Sequence, residues 1–181
     1  MVVVEKLLTA EEFWERYADE RYELVRGEAV ERMTPSSRHS DIAAFIVEFL
    51  APYVREHDLG RVKVEAHYQL GERTMRVPDV SFLSHERQAQ IPDVNKFIPF
   101  APELAIEIIS PSETHAAVRD KINDYRAAGT AMMWLVYPDT KSVDVYDLPG
   151  GRIVRFGPED TLRLEAVLPG FELPLRQIFG E

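Results

Sequence analysis

The sequence predicts a mixed α/β domain with helices packed on a central sheet, and three features predict it. Two runs, Leu104 to Ile109 and Met132 to Tyr137, are almost entirely apolar and read as strands buried on both faces. Two segments, from about Ser37 to His57 and from about Thr114 to Ala128, have helical periodicity. Shorter stretches alternate apolar and polar residues, as half-buried strands and hairpins do. Sheet and helix layers around one core follow from that mixture.

Taken in order, Thr9-Ala10-Glu11-Glu12-Phe13-Trp14 reads as a capped short helix, with Thr9 as N-cap and Glu12 completing a capping box. Tyr22 to Met33 reads as a hairpin turning near Arg26-Gly27. In the first long helix Ile42, Ile46, Phe49, Leu50 and Tyr53 form the apolar stripe, and Pro52 is expected to kink or break it by removing a donor and crowding the preceding turn. Arg61 to Leu70 alternates throughout and predicts one half-buried strand; Arg76 to Leu83 predicts the next. Ser84 to Ala101, with Pro92 and Pro99, predicts a loop with a short helix. The Glu107 strand closes at Ser110-Pro111-Ser112, and Gly129 stops the helix after it. Pro138 to Lys141 reads as a turn, Ser142 to Tyr146 as a hairpin partner, and Arg152 to Glu181 as two or three short strands with a last helical turn near Leu175 to Phe179.

At 181 residues, 45% hydrophobic and 29% charged, the chain is most simply one globular domain, residues 1–181. It holds no apolar run near the ~20 residues of a membrane span, so no membrane partner is expected. Met1 to Lys6 lacks a basic region followed by a long apolar stretch, so no signal peptide is expected there. The absence of cysteine excludes disulfides, thiolate nucleophiles and zinc-thiolate sites, and fits a cytoplasmic location. A net charge of −10, from 31 acidic and 21 basic residues, weighs against a high-affinity, sequence-independent nucleic-acid binder. It leaves room for a nuclease whose local groove or bound cations offset it.

Glu107 is the residue that points to chemistry. An ionised carboxylate inside a strand buried on both faces is costly unless a cation, a metal or several donors pair with it. Asp79, in Val77-Pro78-Asp79-Val80-Ser81-Phe82, is a second carboxylate in an apolar strand expected to neighbour the first. Two such groups repel unless a cation lies between them. Mg²⁺ suits the arrangement, because it takes oxygen ligands, needs few carboxylates and keeps several waters. One of those waters can be activated for attack on phosphorus. Lys121 falls at the edge of the buried stripe formed by Val118, Ile122 and Tyr125, beside the sheet, where an ammonium can orient that water or balance developing charge.

Tyr22-Glu23-Leu24-Val25-Arg26-Gly27-Glu28, Arg38-His39-Ser40, Arg76-Val77-Pro78-Asp79-Val80, Glu107-Ile108-Ile109-Ser110-Pro111-Ser112, Lys121 with Tyr125, and Trp134-Leu135-Val136 before Pro138 follow one another in a specific order and spacing. Together they resemble the Uma-two family of putative restriction endonucleases, part of the PD-(D/E)XK nuclease superfamily, over about residues 9 to 180. The resemblance implies a restriction-endonuclease-like core with additional β-hairpins and a Mg²⁺-dependent endonuclease, with Mn²⁺ able to substitute, acting on DNA. It implies that Asp79 matches the Asp of the Pro-Asp element and Glu107 the acidic position of the (D/E)XK element. The lysine expected two residues after Glu107 is Ile109, and the resemblance assigns its role to Lys121 on the following helix. Glu23 matches an early glutamate that assists metal binding in the superfamily, and many superfamily nucleases act as homodimers.

Each residue also has a structural reading. Glu107 could pair with a structural cation, Asp79 could be a strand-edge carboxylate after Pro78, Lys121 could be solvated, and Glu23 could lie on a hairpin surface. His39 reads as a core, capping or site residue, and Ser110 as a cap or a phosphate contact. Glu65 and His67 read as solvated, and Trp134 as core. Two alternatives to the DNA endonuclease stay open: a non-catalytic interaction module on the same fold, and a phosphodiesterase acting on RNA or a small nucleotide. Convergence of Asp79, Glu107 and Lys121 in one cleft is what the catalytic reading requires.

Overall fold

A computed structural model describes residues 7–179. The expectation for Met1 to Lys6, and the last two residues of the predicted tail, lie outside them. The first helix, α1 (Ala10–Tyr17), has the predicted capping box: Glu12 N donates to Thr9 Oγ1 at 3.2 Å, and Thr9 N donates to a Glu12 carboxylate oxygen at 3.1 Å. The hairpin β1 (Tyr22–Val25) and β2 (Glu28–Glu31) turns through Arg26 and Gly27 at φ 53° and 90°. Left-handed residues at both central positions match the right-handed twist of the strands.

The long helix α2 (Ser37–Glu56) buries Ile42, Ile46, Leu50 and Val54, with Phe49 and Tyr53 packed partly against the same core. Of the kink or break expected at Pro52, the break does not occur: the helix runs on through it. Pro52 is exposed near the last turn, while Leu50 and Val54 on either side are held in the core, so burial outweighs one lost helical hydrogen bond.

Two further expectations are corrected. Arg61 to Leu70 is not one strand but β3 (Gly60–Val64) and β4 (Tyr68–Gly71), placed in different sheets. The chain leaves extended geometry at Glu65, φ 48°, which a strict two-residue alternation does not reveal. Arg76 to Leu83 likewise splits into β5 (Thr74–Arg76) and β6 (Val80–Ser84). Pro78 has no N–H for a ladder, and the interruption leaves Asp79 at the lip of β6 rather than inside it. The short helix predicted in the following loop is α3 (His85–Ala89).

The remaining elements follow the sequence closely: β7 (Leu104–Ile108), α4 (His115–Ala127) capped by Thr114, β8 (Met132–Tyr137) and β9 (Ser142–Asp147). The tail forms β10 (Arg152–Phe156), β11 (Thr161–Leu164), β12 (Leu168–Pro174) and α5 (Leu175–Phe179). The six-stranded central sheet runs β10-β9-β8-β7-β6-β3, mixed because β7 and β8 are parallel while the other neighbours are antiparallel. A four-stranded antiparallel sheet, β2-β1-β5-β4, and the β11-β12 pair complete the fold.

Strand parity then sets the site. Leu104, Ile106 and Ile108 of β7 join α2, β12 and α5 in the main core. Ala105 and Ile109 join Tyr125 of α4 in a second cluster on the other face. Glu107 shares their parity, so it faces α4, the crossover helix between the parallel strands. The architecture is therefore a mixed α/β core, a central mixed sheet flanked by helices, with extra hairpins.

Candidate active site

Glu107 is 3% exposed and both its carboxylate oxygens are engaged. Lys121 Nζ donates to one at 2.9 Å and the Tyr125 hydroxyl to the other at 2.9 Å. Lys121 and Tyr125 are four residues apart on α4, so one helical face delivers both donors. Burial pushes the Glu107 carboxyl up to about 7; the Lys121 ammonium opposes the shift, and the charges of Asp79 and Glu23 add to it. Burial acts against the Lys121 ammonium too, yet Glu107, Glu23 and Glu113 together hold it charged well above the ordinary lysine range. Glu113, in the loop before α4, forms a second ion pair with Lys121, its Oε1 2.9 Å from Nζ.

Asp79 lies beside this pair because β6 and β7 are neighbours, with Val80 opposite Ile106. Its Oδ2 accepts from Ile108 N at 2.7 Å and lies 3.2 Å from His39 Nε2 on α2; its Oδ1 lies 3.6 Å from Arg32. Burial alone would raise this carboxyl. The His39 and Ile108 contacts and the Lys121 charge outweigh it and hold Asp79 below the usual range.

Glu23, on β1, reaches the same place from the smaller sheet. Its oxygens accept from Val77 N at 3.0 Å and from Arg76 at 2.8 Å, and Arg76 also grips Asp124 of α4 through Nε at 2.9 Å and Nη2 at 2.6 Å. Burial opposes ionisation of Glu23, but Lys121, Arg76 and the Val77 amide hold its carboxyl low. This three-way tie clamps the Val77-Pro78-Asp79 corner between the two sheets and α4.

Asp79, Glu107, Lys121, Glu23, His39 and Ser110 all line one cavity of about 540 Å³. Ser110 is half-buried, its hydroxyl 3.0 Å from that of Ser112. Glu65 stays outside, paired with Arg21 and Arg32, while His67 packs edge-on against Trp14, and Trp134 is fully buried in the core. Among the described residues, no three His, Asp or Glu side chains are grouped as a metal's direct ligands would be.

Sequence reasoning missed Arg76, Arg32 and Glu113. Arg76 had a usable signal: a charged residue directly before the Pro-Asp corner and flanked by Met75 and Val77 is hard to leave solvated. Arg32 and Glu113 had none, since each lies in a polar stretch and is drawn in only by tertiary contact.

The family described as Uma2, putative restriction endonuclease, matches residues 9–176, nearly the whole described chain. The chain belongs to that family. Uma2 is the Uma-two family that the sequence motifs resemble. Among solved structures, a putative nuclease belonging to DUF820 from Anabaena variabilis ATCC 29413 is similar, at 26% identity and a TM-score of 0.80, over 95% of this chain and 97% of that one. No curated protein matches. The Uma2 match spans every segment that supplies a cavity carboxylate, from Glu23 on β1 to Asp139 after β8.

Proposed function

We propose that the chain is a divalent-metal-dependent endonuclease hydrolysing phosphodiester bonds in DNA, with Asp79, Glu107 and Lys121 at its centre. The meeting of these three side chains in one cavity of a Uma2 chain carries the reading, and the 2.9 Å contact between Lys121 and Glu107 is its core. The donor set fits Mg²⁺ or Mn²⁺. It is all oxygen, and two carboxylates with several waters satisfy a hard octahedral cation. The cluster is also short of positive charge, since burial and the neighbouring acids push Glu107 up to about 7.

When bound, the metal would supply a water of lowered pKa and a counter-charge for the phosphate. Asp79, kept ionised by His39 and the Ile108 amide, would hold it from the β6 side, and Glu107 from β7. Lys121, a cation anchored by Glu107 and Glu113, would donate to the attacking water and steady charge on phosphorus. Glu23 already gives both oxygens to Val77 and Arg76, so its contribution would be to fix the corner that presents Asp79; direct ligation would require Arg76 to let go. His39 would orient Asp79, and the half-buried Ser110 would donate to a phosphate oxygen.

The test is cleavage of plasmid, single-stranded DNA and RNA in Mg²⁺ or Mn²⁺ against EDTA, for wild type and Glu107→Gln. Metal-dependent DNA cleavage by wild type, lost in the variant, is the expected result. Cutting of RNA alone would move the substrate class, and equal cutting by both proteins would remove Glu107 from the chemistry.

A further inference from the structure

A second cavity of about 590 Å³ adjoins the first and shares Ile109, Pro111, Glu113, Pro138 and Asp139 as a common wall. Its size is in the roughly 300–1,000 Å³ range of small-ligand pockets. Tyr137 of β8, Tyr146 of β9, Arg119 of α4 and Arg155 of β10 line its far side. Resting on the nuclease reading above, we propose that this cavity receives the nucleotide flanking the cut on an unpaired strand, stacking its base on tyrosine and holding its phosphate by arginine.

Arg155 is pre-set for such a role. Asp144 takes Nε and Nη2 at 2.6 Å each, and the guanidinium lies 5.7 Å from the centre of the Tyr137 ring. Its side chain is nonetheless 68% exposed, so a fixed planar cation faces outward. The acids of the cavity already have cations: Glu113 has Lys121 at 2.9 Å, Asp144 has Arg155, and Asp139 has Arg38 at 3.7 Å. Arg119, exposed on α4, has no ion pair with another described residue and is open to a phosphate. Aromatic rings beside arginines along a groove are how single strands are bound without sequence preference. A base can lie on such a ring only when it is unstacked from its duplex neighbours. The catalytic carboxylates, 3% and 6% exposed at Glu107 and Asp79, also suit a thin strand better than a rigid duplex.

The experiment is fluorescence anisotropy with a labelled 10-nucleotide single strand and a hairpin duplex of the same sequence, in Ca²⁺, alongside cleavage of both in Mn²⁺. Wild type is expected to favour the single strand about tenfold. Tyr146→Leu should weaken that binding about tenfold, Tyr146→Phe should restore it, and Arg119→Gln should weaken it a few-fold with a shallower salt dependence. Arg119 is a surface residue, so its variant carries the test if Tyr146→Leu melts early. Binding and cleavage by wild type with both Tyr146→Leu and Arg119→Gln unchanged would overturn the subsite and leave the nuclease intact. Equal binding of duplex and single strand would overturn the unpaired-strand assignment. No binding and no cleavage of any oligonucleotide by wild type would overturn the nuclease reading and the subsite together.

Discussion

Glu107 and Asp144 are both strand carboxylates of the central sheet, 3% and 5% exposed, and each is paired with a cation. Yet they are different kinds of site. Asp144 sits opposite Arg155 in the β9-β10 register, and the hairpin itself supplies the partner. Arg155 reaches out to solvent, and one acid meets one cation. Glu107 is served by Lys121, only 15% exposed, which Glu113 also claims and whose charge Glu23 and Asp79 share. Burial of a charge is therefore not the mark of a reactive site. On the proposed function, convergence of more carboxylates than the local cations can neutralise is that mark, because the imbalance raises a pKa and would leave work for a divalent ion.

The largest expected effect separates the two cations. Lys121→Ala should lower metal-dependent cleavage by about 10²–10³-fold, the cost of removing a donor aimed at developing charge, while far-UV circular dichroism stays native. Full activity in that variant would place Glu107 and Lys121 in the same structural class as Asp144 and Arg155.

A smaller effect is a pH dependence in EDTA. Glu107 ordinarily titrates near 4.5 and in the fold near 7. Between those values the unfolded chain has lost this proton and the native state keeps it, so rising pH favours unfolding through Glu107. Glu23 and Asp79, held low, act in the opposite sense, contributing stability that is lost as pH falls through their folded values. The melting temperature of Glu107→Gln minus that of wild type should thus increase from about pH 4.5 to about pH 7 and level off above it. A difference that is flat or falls with pH would show that Lys121 fully compensates Glu107.

The smallest effect belongs to the hairpin pair. Arg155→Gln removes the cation from buried Asp144, but the exposed guanidinium is solvent-screened, so the cost should be about 1 kcal/mol, or roughly 2–4 °C in melting temperature. Its Mn²⁺ response should match that of wild type. A lost metal response would tie the hairpin pair to the metal site.

Local signals made part of this legible from sequence. The Thr9 capping box, the buried β7 and β8 runs and the α4 stripe are written in neighbouring residues, and α4 in turn placed Lys121 against the sheet. The break between β3 and β4 was not legible, because Val62, Val64, Ala66 and Tyr68 keep their alternation across a bend at Glu65. Nor was the tie of Glu23 through Arg76 to Asp124, which joins three elements far apart in the chain. Glu107 stood out because its neighbours are all apolar; Asp144, flanked by Val143 and Val145 in an alternating hairpin, did not.

Thermal melting of wild type and Glu107→Gln, each in EDTA and in Mn²⁺, tests the metal site most directly and needs no substrate. A cation at ~100 times its dissociation constant adds ~2.7 kcal/mol to a state that alone binds it, or roughly 5–10 °C for a domain of this size. Wild type should gain that rise in Mn²⁺. Glu107→Gln should melt at or above wild type in EDTA at neutral pH, where one of several crowded carboxylates has been removed, and should lose most of the rise. A strongly destabilised Glu107→Gln, beside a wild type indifferent to Mn²⁺, would make Glu107 and Lys121 a structural ion pair and contradict the metal site.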